Sequence, residues 1–259
     1  MSRRQARSTR AKSSRIGTTR AASAPATKAR RIAGIDAMRG TAIGLMIVYH
    51  FCFDLSWFRV FSADFNHDPF WLGFRALIVS MFLLLVGVSL VLADRAGTSR
   101  AHFWRRIALV ATCAILVSVA SYVTFPKTFI TFGILHCIVV ASILAWPLVR
   151  RPWIALVLGV AIVVAGNVVH LALFDAPWLN WVGLMTHKPD TEDYVPLFPW
   201  LGVVMIGIAA GRWLVAQQLH PVEPLSRIAP AWLTWLGRHS LIVYMAHQPV
   251  MIGILRVLL

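Results

Sequence analysis

Residues 31–58 read RIAGIDAMRGTAIGLMIVYHFCFDLSWF, and their patterning decides the fold. The apolar run within them is about 22 residues long, enough for a helix to cross a hydrocarbon layer that needs ~20. It nevertheless carries Asp36, Arg39, His50 and Asp54. At ~100 degrees per residue, Arg39 and His50 return to within ~20 degrees of each other, with Asp36 and Asp54 flanking them on the same azimuth. The rise per residue separates Arg39 from His50 by ~16 Å, about half the hydrocarbon thickness. A charge at mid-bilayer costs roughly 2.5–3.5 kcal/mol on insertion scales, so this stripe is expected to face a bundle interior or a wet cavity and to mark function. An internal Asp36–Arg39 ion pair near the interface accounts for the first two residues alone. It leaves His50 unexplained.

Outward from this stretch, the 259-residue chain is 58% hydrophobic and 14% charged, too apolar for an ordinary soluble domain. It reads as an all-α, polytopic transmembrane helix bundle of about seven spans, at roughly 32–54, 70–93, 105–124, 129–148, 152–174, 195–215 and 232–258. Connections on one side carry Arg95, Arg100, Arg105, Arg106, Arg150, Arg151, Arg212 and Arg227. The other side carries few basic residues, Arg59, Lys127 and Lys188, and collects acids: Asp64, Asp68, Asp175, Asp190, Glu192 and Asp193. Positive connections stay inside, which predicts a cytoplasmic N-terminus.

Two regions follow. Residues 1–31 hold ten of the 25 Lys and Arg residues and no acid, so the formal net charge of +15 is locally concentrated. That arm has little to bury and is expected to be a disordered, cytoplasmic, lipid-attracted tail rather than a nucleic-acid binder. Residues 32–259 form the transmembrane domain. The first apolar run is too long for a signal-peptide core and has no convincing cleavage site, so it is expected to be retained. Cys52, Cys113 and Cys137 show neither disulfide nor metal-knuckle spacing and read as packing residues. The loop aromatics Trp57, Phe58, Phe61, Trp178 and Trp181 suit an interfacial belt or a sugar- or lipid-facing platform. Neither an internal repeat nor a matched pair of broken spans points to a transporter.

A histidine exchanges protons near neutral pH, and a carboxylate one helical turn away can fix its tautomer. His50 and Asp54 have that spacing. A histidine that merely bonds a neighbouring helix is the structural alternative.

Arg39, ten intervening residues and His50 are similar to the Arg-x10-His signature of the acyltransferase-3 membrane family. The wider set of segments RIAGIDAMRGTAIGLMIVYHFCFDL, FLLLVGVSLVLADR, FWRRIALV, FITFGILHCI, PLFPWLGVVMIGIAAGR and WLGRHSLIVYMAHQPV resembles bacterial, DUF1624-type members of the heparan-alpha-glucosaminide N-acetyltransferase-like family. That resemblance implies a multi-pass acyltransferase of the bacterial inner membrane. It would take an acyl group, usually acetyl, from cytoplasmic acyl-CoA to a hydroxyl or amine acceptor, a glycan by preference, on the extracytoplasmic face. Carried over by position, Arg39 and His50 match one signature, while His67 falls near the outer-loop histidine of the lysosomal relatives. Those relatives lack a histidine at the place of His50, and they are longer than this chain.

On this reading His50, oriented by Asp54, is the preferred base, with His67 its rival and Arg39 beside the donor. Asp36, Arg75, His136, His239, His247 and Arg238 are candidate cofactor- or substrate-contacting residues, Arg75 as an oxyanion partner. Acetyl-CoA is the expected donor, and a homodimer is allowed. No metal is expected, because the histidines lack ligand spacing. A proton-coupled transporter or flippase of an anionic or lipid-linked substrate is the principal alternative, with His50 and Asp54 relaying protons; a non-catalytic membrane scaffold is the other.

Overall fold

A computed structural model describes residues 32–191 and 193–258; the basic arm at 1–31, Glu192 and the final residue lie outside it, and so does the disorder expected of the arm. Every regular element among the described residues is helical: α1 (Ala33–Trp57), α2 (Pro69–Arg95), α3 (Arg100–Thr124), α4 (Ile134–Ala145), α5 (Pro152–Val168), α6 (Leu197–Ala216), α7 (Glu223–Ile228), α8 (Ala231–Arg238) and α9 (Ser240–Leu258). Local chemistry sets several of the boundaries. Asp68 accepts the Phe70 N–H at 2.8 Å, with Pro69 in the first turn of α2, and Ser99 accepts the His102 N–H at 3.2 Å to start α3. Both satisfy N–H groups that a helix start leaves without partners.

Helices α2, α3, α6 and α9 are long and apolar enough to cross a membrane, and α4 with its following turn and α5 are shorter apolar helices. Large apolar side chains face outward on α3 (Ile115, Leu116, Val119) and α9 (Val250, Ile254, Val257), which suits lipid as the solvent. Exposed tryptophans gather at both ends of the bundle. Trp104, Trp153, Trp213, Trp232 and Trp235 lie near the end where Asp94, Arg150 and Arg212 meet; Trp57 and Trp178 lie at the other. Such girdles belong at the two interfaces of a bilayer.

Three expected boundaries change. The segment expected from 129 becomes helical only at Ile134, because α3 side chains hold its approach: Ser118 Oγ donates to the Ile130 carbonyl at 2.6 Å and Ser121 Oγ accepts the Ile130 N–H at 3.0 Å. The segment expected to reach 174 ends as α-helix at Val168, followed by short 3-10 turns. The last expected span, 232–258, is broken at His239 into α8 and α9. There the His239 backbone leaves the helical region, and its ring Nδ1–H donates to the Trp235 carbonyl at 2.9 Å.

This break positions the site. Helix α8 runs antiparallel to α1: Gly237 meets the backbone of Asp36, and Leu233 meets Gly40. The chain then reverses, and α9 runs parallel to α1 until Gln248 stands beside His50 and Asp54. Only hydrogen atoms fit at these crossings, since a Cβ on Gly40 would overlap the Leu233 carbonyl and one on Gly237 the Asp36 carbonyl. Helices α2 and α6 approach in the same way through Gly87 and Gly207. Small residues that let backbones close up are how helices associate where lipid removes the hydrophobic drive.

Gly40→Ala should therefore destabilise the fold by about 1–3 kcal/mol through overpacking. Gly44, on the same helix with open space around it, should tolerate alanine or gain slightly from helix propensity. Thermal unfolding in detergent compares them; equal melting temperatures for the two variants would refute the close α1–α8 contact.

Candidate active site

The polar stripe of α1 is turned inward, with Asp36 only 3% and Asp54 only 4% exposed. It is covered in two sections by different helices. In the first section Arg39 donates to Asp36 Oδ1 at 3.0 Å and to Ser89 Oγ of α2 at 2.6 Å, and Ser89 passes its own hydroxyl hydrogen to the Leu85 carbonyl. Arg238 of α8 stands 3.5 Å from the second Asp36 oxygen. The expected Asp36–Arg39 pair is thus present as one part of a three-helix network.

In the second section Gln248 of α9 lies between His50 and Asp54. Its amide nitrogen is 3.2 Å from His50 Nδ1 and 3.5 Å from Asp54 Oδ1. The spacing expectation had Asp54 orient His50 directly; the geometry places the Gln248 amide between them. His247 packs its ring 5.0 Å from that of His50 and 5.5 Å from that of Tyr244, and its Nδ1 is 2.5 Å from the Tyr244 carbonyl. Three buried polar atoms of this cluster have no hydrogen-bond partner: Asp54 Oδ2, His247 Nε2 and Gln248 Oε1. Buried polar atoms are nearly always satisfied in a folded protein, so three orphans in one cluster mark a place where a ligand or water completes the network.

The remaining candidates lie elsewhere. His67 is exposed on the loop after α1, with Nδ1 2.9 Å from Asp64. Asp64 also accepts the Asn66 and His67 N–H groups, and these bonds, the Asn66 bond first, hold its carboxyl below the ordinary carboxylate range. That loop folds back over α1: Phe65 is buried against Trp71, Phe53 and Tyr49. A recess of about 350 Å³ opens there, lined by Phe53, Ser56 and Trp57 of α1 and by Asp64 and Asn66. His136 caps α4, accepting the Gly133 N–H at 3.3 Å, with Ser118 Oγ 3.4 Å from its other nitrogen; the geometry gives it a structural role. His239 closes α8, as described above. Arg75 lies within electrostatic reach of Tyr49 and Asp193. At the end of the bundle where α1 begins, a smaller recess of about 90 Å³ among α2, α3 and α4 is lined in part by His102 and Arg106. Among the described residues no group of three or more His, Cys, Asp or Glu side chains is placed to hold a metal, and Cys52, Cys113 and Cys137 are free thiols.

Gln248 and Ser89 were not singled out by sequence reasoning. The signal for Gln248 lay in the run HQPV at 247–250, two adjacent polar residues before a proline inside an apolar helix.

A membrane-embedded helical bundle with a buried histidine–amide–carboxylate cluster defines a class, that of polytopic membrane proteins built to do polar chemistry in an apolar setting. Residues 31–249 match the family described as heparan-alpha-glucosaminide N-acetyltransferase, catalytic, and the chain belongs to that family. The matched region reaches Pro249 and so includes His247 and Gln248. Membership implies acetyltransferase activity. Comparison with curated proteins and with solved structures finds no match.

Asp193, in the loop before α6, supplies a pH test. Its Oδ2 accepts the Ile134 N–H at 3.1 Å. Burial nonetheless holds its carboxyl above the ordinary carboxylate value, against the opposing pull of that N–H and of Arg75 and Lys188. A raised folded-state value means stability present below the unfolded value, ~3.9, is lost as pH rises through the folded one. Asp193→Asn keeps the acceptor and removes the charge, so it should raise the melting temperature at about pH 7 and change it little near pH 4. A lower melting temperature at neutral pH would mean that the Arg75 and Lys188 charges outweigh burial.

Proposed function

We propose that the protein is a multi-pass acyltransferase of a bacterial inner membrane that moves an acetyl or other short acyl group from cytoplasmic acyl-CoA to a hydroxyl or amine acceptor, a glycan by preference, at the extracytoplasmic face. One observation carries this reading: the cluster of His50, Asp54, His247 and Gln248, in which three buried atoms lack partners and two imidazoles lie side by side. Acyl transfer from a thioester needs a base for the acceptor proton and a donor for the carbonyl oxygen, and a histidine pair can supply both.

Basic groups at the end where α1 begins suit the phosphates of a CoA donor. Arg238 is half-exposed, and His102 and Arg106 line the smaller recess. Guanidinium groups match phosphate geometry. Arg39, tied to Asp36 and Ser89, holds the start of the seam in place. At the opposite end, His67 and Asp64 stand exposed beside the larger recess, and there they meet an acceptor arriving from outside.

A proton-coupled transporter would use the same His50–Gln248–Asp54 chain as a relay, and one assay separates the two readings. Purified protein in detergent, given acetyl-CoA with glucosamine or a simple alcohol, should release free thiol in an acceptor-dependent manner. The double variant His50→Ala/His247→Ala should fall by at least ~100-fold, the lower range for general acid–base chemistry. No thiol release with any acceptor, together with pH-gradient-driven uptake in proteoliposomes, would replace the acyltransferase with the transporter.

A further inference from the structure

The two imidazoles of the cluster are held in different ways. His247 Nδ1 points at the Tyr244 carbonyl, 2.5 Å away. A carbonyl only accepts, so Nδ1 carries the hydrogen, and in the neutral ring Nε2 is a bare lone pair. That Nε2 is buried and unpartnered. His50 Nδ1 instead faces the Gln248 amide nitrogen at 3.2 Å, and an amide nitrogen only donates. Nδ1 of His50 is therefore the acceptor, and its hydrogen sits on Nε2. The same amide nitrogen is 3.5 Å from Asp54 Oδ1, so each of its two hydrogens has an acceptor, one on the ring and one on the carboxyl.

We infer that His247, rather than His50, is the general base of the acyl transfer proposed above, that His50 donates its Nε2–H to the thioester carbonyl oxygen, and that Gln248, held by Asp54, is the positioning residue that fixes the His50 tautomer. This assignment rests on the acyltransferase reading. As the acceptor oxygen or nitrogen attacks the acyl carbon, its proton passes to His247 Nε2 and the carbonyl π electrons move to the oxygen, where the His50 N–H stabilises the charge. When that oxyanion collapses, the carbon–sulfur bond breaks, its electron pair leaves on the thiolate of CoA, and His247 returns the proton to sulfur. Acceptor–H and acyl thioester become acylated acceptor and free thiol, with both imidazoles regenerated. Gln248 Oε1 and Asp54 Oδ2, both unpartnered acceptors, are available to receive remaining hydrogens of the acceptor.

Glutamine substitution separates the roles, because its amide can donate where Nε2–H donated but cannot serve as a base. His50→Gln should cost about tenfold in kcat, whereas His247→Gln should cost at least ~100-fold with KM for acetyl-CoA changed less than about threefold. An equal or greater loss in His50→Gln overturns the assignment. Nitrogen-15 NMR of histidine-labelled full-length protein in detergent, with the same variants identifying the signals, tests it without turnover: His247 should show hydrogen on Nδ1 and His50 on Nε2, and any other pair of tautomers overturns it. A wild-type protein that releases no thiol defeats the acyltransferase reading itself, and the NMR result still decides the tautomers.

Discussion

The structure turns on one constraint, that an apolar helix carrying two acids, an arginine and a histidine must find polar partners before it can be buried. Helix α1 meets it with two different covers. The start of its seam is met by Ser89 on α2 and Arg238 on α8, the far part by Gln248 on α9. A polar group buried without partners is costly, so these contacts favour the placement of α8 and α9 against α1.

Two covers require the last segment to change direction. A continuous helix from 231 to 258 would not lay α8 antiparallel to α1 and then α9 parallel to it. The break at His239, together with backbone approach at Gly40 and Gly237, brings the pair His247–Gln248 to His50 and Asp54. Pro249 follows directly within α9; lacking an N–H, it leaves a carbonyl of the preceding turn without its usual helical partner. The polar cluster thus sits where α9 is locally weakened as a helix and tied to its neighbour through Gln248, an arrangement that holds polar side chains in an apolar surround.

Much of this was legible in the sequence. The inward stripe of α1 follows from the azimuths of four residues, and the helical, membrane-type composition follows from apolar runs and charge. The alignment of His50 with Asp54 was visible too, but not what lies between them, because a glutamine 194 residues after Asp54 enters through tertiary packing rather than local period. The break at His239 was hidden for a related reason: no proline stands near it in the run WLGRHSLIV at 235–243, and the turn follows from the packing of α8 and α9 on α1. His136 reads as a reactive candidate by type; its partners Gly133 and Ser118 make it a cap. His67 is drawn to Asp64 in its own loop, a contact of nearest neighbours that sequence spacing does not distinguish from a site.

The most direct test of the α1 seam is an experimental density map of the protein in a lipid nanodisc. The account predicts α9 lying along α1 with the Gln248 amide within hydrogen-bonding distance of His50 and Asp54, and α8 folded back against Asp36 and Gly40. A map in which the Asp36–Asp54 face of α1 looks into lipid, or in which α9 packs on another helix, would contradict it.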